Sequence, residues 1–167
     1  MDILTNQQSC LNLVQQIQTR LDEKSRTIAT AESCTGGILA TLFTHFAGSS
    51  RTYLGGISAY SNEVKSGILG VDMNIISSFG AVSEEVCSAM ANRTLELFHS
   101  DYAISVTGVA GPGGGTVKKP VGLIYLGCAA KTGELLVQEH RLTGDRLANR
   151  SEIVLKGLMT LVKLIQK

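Results

Sequence analysis

Apolar and polar positions along this chain alternate between helical spacing and short β-prone runs. Near-helical spacing of apolar residues predicts helices at both ends of the chain. Helices are predicted over residues 6–24, 37–47, 62–69, 72–79, 83–99 and 146–165. Strands are predicted over residues 27–32, 53–60, 102–107, 121–130 and 135–142. Strands separated by helices favour a parallel sheet that is covered on both faces.

The last two strands are joined by only four residues, 131–134, which favours an antiparallel hairpin. The pattern predicts the α/β class, as a three-layer α/β/α sandwich. Its sheet is expected to be mixed, mostly parallel, and to contain about five strands, with an antiparallel hairpin near the C-terminus. Neither a linker nor an internal repeat interrupts the sequence, so residues 1–167 are expected to form a single domain.

Composition narrows the class of protein. Hydrophobic residues make up 44% of the 167 residues and charged residues 17%, with a formal net charge of +1. The absence of a basic run argues against a nucleic-acid partner. No apolar stretch reaches the length of a membrane span, and the first residues do not resemble a secretory signal. A cytoplasmic protein without a membrane partner is therefore expected.

Four cysteines (Cys10, Cys34, Cys87 and Cys128) are widely spaced and form no CxxC pair. This spacing does not suit a zinc or iron–sulfur site, so no metal is expected. Cys34 is a minor candidate for a nucleophile, because a helix N-terminus lowers the pKa of a thiol. Cys87, in a predicted helix, and Cys128, in a predicted strand, are typical of small buried residues.

Three unusual segments are expected at the carboxyl ends of strands, where ligands bind in open α/β sheets. The first, residues 33–37, contains Ser33 and could form an oxyanion hole from the N–H groups of Thr35, Gly36 and Gly37. The alternative is that Ser33 or Thr35 only caps the next helix. The other two segments are residues 60–65 and the glycine-rich loop 107–115. Each of them also has an interpretation that involves no ligand.

Together the three segments suit hydrolysis of an amide or ester in a phosphorylated small molecule. Ser33 would be the nucleophile, Lys65 the base and Tyr60 a proton relay. Lys65 could instead be a solvated helix residue, and Tyr60 an amphipathic strand end. Gly108 and Gly111 lie in the loop that could present amides to a phosphate, unless the loop is only a flexible connection.

A series of motifs resembles the CinA C-terminal domain family from about residue 8 to residue 165. They are AESCTGG (31–37), AGSS (47–50), YSNEVK (60–65), GAVSEEV (80–86), TGVAGPGGG (107–115) and KPVG (119–122). Single-domain members of this family are nicotinamide-nucleotide amidohydrolases. They convert nicotinamide mononucleotide to nicotinate mononucleotide and ammonia, which recycles a by-product of NAD consumption.

The resemblance implies an α/β/α sandwich and a serine amidase that needs neither metal nor cofactor. The family's catalytic serine, lysine and tyrosine match Ser33, Lys65 and Tyr60, and its supporting polar residues match Ser50, Thr107 and Arg146. We expect Arg146 and the glycine-rich loop to hold the substrate's phosphate.

Two further expectations concern the form of the protein. The resemblance points to a stand-alone domain without the pyrophosphatase-linked N-terminal domain of larger relatives, and to a homo-oligomer, a dimer or larger. The competing hypothesis is a non-catalytic nucleotide-binding or phosphate-binding module.

Overall fold

A five-stranded mixed sheet forms the centre of the protein, for which a computed structural model describes residues 4–166. The strands are β1 (Ile28–Glu32), β2 (Tyr53–Ser58), β3 (Tyr102–Gly108), β4 (Leu123–Ala130) and β5 (Leu135–Arg141). They lie in the order β2-β1-β3-β4-β5. β1 pairs in parallel with β2 and β3, whereas β4 is antiparallel to both β3 and β5. The mixed sheet and the C-terminal hairpin are therefore confirmed.

Helices cover both faces of the sheet, which confirms the three-layer arrangement. They are α1 (Gln7–Glu23), α2 (Ile38–Phe43), α3 (Asn62–Gly67), α4 (Met73–Phe79), α5 (Glu84–Phe98) and α6 (Arg146–Ile165). α1, α2 and α6 share one apolar core with the sheet. α3, α4 and α5 enclose a smaller core on the opposite face. Within the described part of the chain, no helix is long and apolar enough to span a membrane.

The parallel strands align their carboxyl ends at one edge of the sheet. In the observed register, Glu32 at the end of β1 lies beside Ser58 of β2 and Val106 of β3. The residues that follow these strands therefore emerge side by side. This register brings the three unusual segments of the sequence together.

Helix α2 is shorter than its predicted range, 37–47. It begins at Ile38 and ends at Phe43. The Thr44 hydroxyl donates to the carbonyls of Ala40 (2.8 Å) and Thr41 (3.2 Å), so a side chain competes with the helical ladder at that point. Strand β2 likewise ends at Ser58, two residues before its predicted end, because the Tyr60 N–H turns back to the Ser58 carbonyl.

Candidate active site

A pocket of about 270 Å³ opens at the carboxyl ends of β1, β2 and β3. Its lining includes residues from all three sequence segments: Ser33, Tyr60, Lys65, Thr107, Gly108 and Gly111. Cys34, Asn62 and Arg146 also border it. The sequence prediction of a shared site at this edge of the sheet therefore agrees with the geometry.

Ser33 and Lys65 are in direct contact in this pocket. The distance from Lys65 Nζ to Ser33 Oγ is 3.1 Å. Lys65 is 1% exposed and Ser33 is 8% exposed, so water is largely excluded from the contact. Lys65 is therefore not the solvated helix lysine of the conventional interpretation.

Two main-chain carbonyls hold the Lys65 amine in place. Its Nζ donates to the carbonyl of Ala59 at 2.8 Å and to that of Tyr60 at 3.3 Å. Burial lowers the pKa of Lys65 from its ordinary value, and the nearby Cys34 thiol opposes this effect. A lowered pKa increases the neutral fraction of the amine, which is the form that can accept a proton.

Short helix α3 presents Lys65 because its start is well defined. Ser61 adopts an extended conformation and its hydroxyl accepts a hydrogen bond from the Val64 N–H at 3.2 Å, as an N-cap does. The turn between β2 and α3 directs the Ala59 and Tyr60 carbonyls at the amine of the same segment. Residues 59–65 thus supply both the candidate base and its hydrogen-bond acceptors.

In the turn after β1, two of the three amides that the sequence indicates for an oxyanion hole already have hydrogen-bond partners. Gly36 (φ 60°) and Gly37 (φ 94°) adopt left-handed conformations. The Gly36 N–H donates to the Ser33 carbonyl, and the Gly37 N–H donates to the Glu32 carboxylate. These hydrogens are already used, and residues 35–37 do not line the pocket, so nothing in this geometry supports Gly36 and Gly37 as donors and their role stays a prediction.

Two other N–H groups of this turn are left for a ligand. Those of Cys34 and Thr35 donate to no other residue within residues 4–166, and Cys34 borders the pocket. In α/β-hydrolases, the residue that follows the nucleophilic serine supplies such a donor. Of the three amides that the sequence indicated, only that of Thr35 has no partner within the described residues, and Thr35 itself is buried and does not line the pocket.

Glu32 caps helix α2, a role that the sequence analysis missed. Its buried carboxylate accepts hydrogen bonds from the N–H groups of Gly37 (3.1 Å), Leu39 (3.1 Å) and Ala40 (2.9 Å). Neither Ser33 nor Thr35 caps this helix. The sequence did contain one indication of this cap, a glutamate placed directly before a Ser-Cys-Thr-Gly-Gly turn that leads into a helix.

Cys34 is poorly suited to be a nucleophile. Burial raises the pKa of its thiol to about 12, although its own backbone hydrogen bond and the charges of Arg150 and Arg146 act in the opposite direction. None of the chain's histidines lines the pocket, so no imidazole stands ready to take the proton of the thiol.

Tyr60 contributes to the pocket mainly through its backbone. Its side chain is 63% exposed, and its hydroxyl makes no hydrogen bond to Ser33 or Lys65. Only the Tyr60 carbonyl contacts the lysine. A proton relay by the hydroxyl stays a prediction.

The glycine-rich loop and Arg146 form the opposite wall. Arg146 Nη1 donates to the Gly111 carbonyl at 2.9 Å. The N–H groups of Gly111, Gly113 and Gly114 make no hydrogen bond within the described residues. The Thr107 hydroxyl donates to the Ala81 carbonyl at 2.7 Å, so its hydrogen is used to position residues 79–82.

Ser50 lies away from this pocket. It belongs to a short 3-10 turn, Ser49–Arg51, that precedes β2 and therefore sits at the amino end of the parallel strands. Six residues of extended strand separate that turn from the carboxyl edge, so Ser50 does not line this pocket. Its place among the substrate-binding residues stays a prediction.

No ready metal site is present in residues 4–166. No group of three or more His, Cys, Asp or Glu side chains there is arranged to hold an ion. The nitrogen-bearing side chains that line the pocket include Lys65 and Arg146.

Comparisons with known proteins agree with the fold. The chain is 44% identical to a CinA-like protein of Leptospira borgpetersenii over 96% of this chain and 38% of that protein. It is 41% identical to a CinA-like protein of Leptospira interrogans over 100% of this chain and 40% of that protein. The chain thus spans about two fifths of the length of these curated relatives.

Solved structures share the whole architecture. A competence/damage inducible protein, CihA, from Agrobacterium tumefaciens is 35% identical and superposes with a TM-score of 0.93 over 100% of both chains. A competence-damaged protein (CinA) superfamily protein from Klebsiella pneumoniae is 30% identical, with a TM-score of 0.89 over 94% of this chain and 98% of that one. The model of the CinA C-terminal domain matches residues 11–165. The chain belongs to the CinA C-terminal domain family.

Proposed function

We propose that this protein hydrolyses the carboxamide of nicotinamide mononucleotide to nicotinate mononucleotide and ammonia. The observation that carries the proposal is the 3.1 Å contact between the buried Lys65 amine and the Ser33 hydroxyl. A binding module needs neither a nucleophile nor a base, whereas an amidase needs both.

Three oxygens surround Lys65 Nζ and can accept the three hydrogens of the protonated amine. The form that acts as a base is the neutral amine, which keeps the same three neighbours. A neutral amine has two N–H groups and one lone pair, and the Ala59 and Tyr60 carbonyls accept the two hydrogens. The lone pair is then free to accept the hydrogen of Ser33 Oγ, the third neighbour of Nζ. Ser33 becomes a nucleophile as this proton leaves it.

The reaction follows from these groups. Ser33 Oγ bonds to the carboxamide carbon while its proton passes to Lys65. The C–N bond then breaks, and Lys65 returns the proton to the departing nitrogen, which leaves as ammonia. Water attacks the resulting ester while Lys65 accepts a proton from it, and that proton returns to Ser33 as nicotinate mononucleotide leaves. The Cys34 N–H, with that of Thr35 beside it, would stabilise the oxyanion formed in each half.

A phosphorylated substrate is supported by the charge of the pocket wall. Arg146 makes no salt bridge within residues 4–166, so its charge is not neutralised by an acidic side chain. The unpaired N–H groups of Gly111, Gly113 and Gly114 add donors on the same wall. Guanidinium and backbone amides are well suited to phosphate oxygens.

Ammonia release from nicotinamide mononucleotide by the purified protein tests the proposal, with Ser33→Ala and Cys34→Ala in parallel. We expect Ser33→Ala to lower turnover by about 10³-fold or more, as the loss of a covalent nucleophile does. Cys34→Ala should stay within about tenfold of the parent, since it removes only a small buried side chain. A folded Ser33→Ala protein with normal turnover would exclude the serine mechanism. Tight binding of the nucleotide without ammonia release would support the binding-module hypothesis.

A further inference from the structure

Arg150, on helix α6, reaches the turn that carries the candidate nucleophile. Its Nη2 donates to the Thr35 carbonyl at 2.6 Å, a contact between residues 115 positions apart in sequence. The side chain is partly buried, and a Cβ added to Gly36 would lie 3.5 Å from the same nitrogen. The guanidinium therefore packs directly behind residues 33–37, on the side of the turn that faces α6.

The hydrogen bonds of Arg150 are unusual for a residue that serves only stability. Arg150 Nε is buried without a hydrogen-bond partner within residues 4–166, as is Thr35 Oγ1 in the same turn. Arg150 forms no salt bridge with the described acidic residues. A partly buried cation with one buried N–H left without an acceptor costs stability, so an apolar side chain would serve a purely structural purpose better.

Helix α6 holds both walls of the pocket through two arginines one helical turn apart. Arg146 binds the Gly111 carbonyl on the glycine-rich wall, and Arg150 binds the Thr35 carbonyl on the Ser33 wall. Residues four apart lie on the same face of a helix. The Asp145 carboxylate accepts the Ala148 N–H and so fixes where this helix begins.

We propose that Arg150 is a positioning residue that orients the Cys34 and Thr35 N–H groups toward the oxyanion. It fixes the Thr35 carbonyl and with it the Thr35–Gly36 peptide plane. Through this plane it restrains the backbone of Thr35, whose own N–H lies in the preceding plane, and the Cys34 N–H one plane further back. The inference rests on the proposed amidase function for its kinetic consequence. Its structural consequence, a fixed orientation of these amides, does not depend on the substrate.

Arg150→Met tests the proposal with Lys156→Met as the matched control. Lys156 lies on the same helix, and its only salt bridge within residues 4–166 is a partly exposed one to Glu152, so its loss should leave kcat and KM unchanged. For Arg150→Met we expect kcat to fall about tenfold to a hundredfold, less than the loss of an oxyanion donor itself. KM for nicotinamide mononucleotide should stay within about threefold, because Arg150 does not line the pocket.

Arg150→Lys separates charge from geometry. Lysine keeps the positive charge but not the planar fork that reaches the Thr35 carbonyl, so we expect it to restore only part of kcat. If Arg150→Met does not fold, this variant takes its place, and a lowered kcat at unchanged KM is again the expected result. Parental kcat in the folded Arg150→Met protein, or a raised KM with unchanged kcat, would overturn the proposal.

Amide NMR provides a readout that needs no substrate. The ¹H–¹⁵N resonances of Cys34 and Thr35 should move in Arg150→Met and Arg150→Lys, and should not move in Lys156→Met. Resonances that stay in place in the Arg150 variants would refute the positioning role even if the protein had no amidase activity. Absence of ammonia release by the parent protein, together with moved resonances, would refute the proposed function and leave the positioning role standing.

Discussion

The exchange of Lys65 for methionine is the sharpest test of the proposed base. Methionine has nearly the length of lysine and no titratable group, so it can occupy the same buried space. The change removes the amine that contacts Ser33 Oγ and that donates to the Ala59 and Tyr60 carbonyls. It leaves the apolar contacts of the side chain almost intact.

The structure allows the effects on catalysis and on stability to be separated. General base catalysis contributes about 10²–10⁴-fold, which corresponds to about 3–5 kcal/mol in the activation barrier. Each carbonyl left without a donor costs about 1–3 kcal/mol, but the variant also avoids the cost of burying an amine. We therefore expect the free energy of unfolding to change by about 2 kcal/mol or less while kcat falls by about 10³-fold.

Steady-state ammonia release and urea unfolding measure the two effects on the same preparation. Lys65→Arg should be as inactive as Lys65→Met, because a guanidinium stays protonated at any working pH. Normal turnover by Lys65→Arg would refute the reasoning and leave Lys65 as a charge that helps to bind substrate. A loss confined to KM in either variant would lead to the same conclusion.

The pH profile of the parent gives an independent check on Lys65. Burial lowers the pKa of Lys65, so the neutral amine becomes the major form at a pH below the ordinary lysine value of about 10.4. Because the neutral form is the base, kcat/KM should rise with pH through the lowered pKa and level off above it. In Lys65→Met this ascending limb should be absent from the residual activity.

Two more predictions concern the phosphate and the cap of helix α2. Arg146→Ala should raise KM for nicotinamide mononucleotide about tenfold or more, since a charge-assisted hydrogen bond contributes about 1.5–3 kcal/mol. Nicotinamide riboside, which lacks the phosphate, should then be a poor substrate for both proteins, and equal kcat/KM for the two compounds would contradict a phosphate site. Glu32→Gln should lower the free energy of unfolding by about 2–4 kcal/mol, because one carboxylate accepts N–H groups from Gly37, Leu39 and Ala40. Glu85→Gln, an exposed acidic residue in the first turn of α5, should cost about 1 kcal/mol or less in the same urea titration, and equal losses would refute the capping role.

The meeting of Ser33 and Lys65 could be predicted from sequence because it depends on a general property of α/β sheets. Both residues follow strands, and parallel strands place their carboxyl ends at one edge. Local patterns were sufficient to indicate the strands and the turns after them. The structure adds the distance between the two side chains and the burial that lowers the pKa of Lys65.

The roles of Glu32, Arg150 and Ser50 could not be obtained in the same way. Glu32 caps α2 only because two consecutive left-handed glycines bring the helix back over its carboxylate. Arg150 contacts the turn after β1 only because α6 packs on the sheet next to that turn. The local sequence around Arg150 does not indicate this packing. Ser50 belongs to the polar motif at residues 47–50, but whether it lies at the amino or the carboxyl edge of the sheet depends on where β2 begins.

The cap formed by Glu32 also determines where positive charge at the site must come from. A helix N-terminus ordinarily attracts an anion, yet a buried carboxylate already occupies that of α2. An oxyanion or a phosphate in the pocket must therefore be stabilised by other groups. Those available are Arg146 of α6 and the amides of Cys34, Thr35 and the glycine-rich loop. This division explains why the pocket wall carries a guanidinium group, that of Arg146, which no acidic residue of the described chain neutralises.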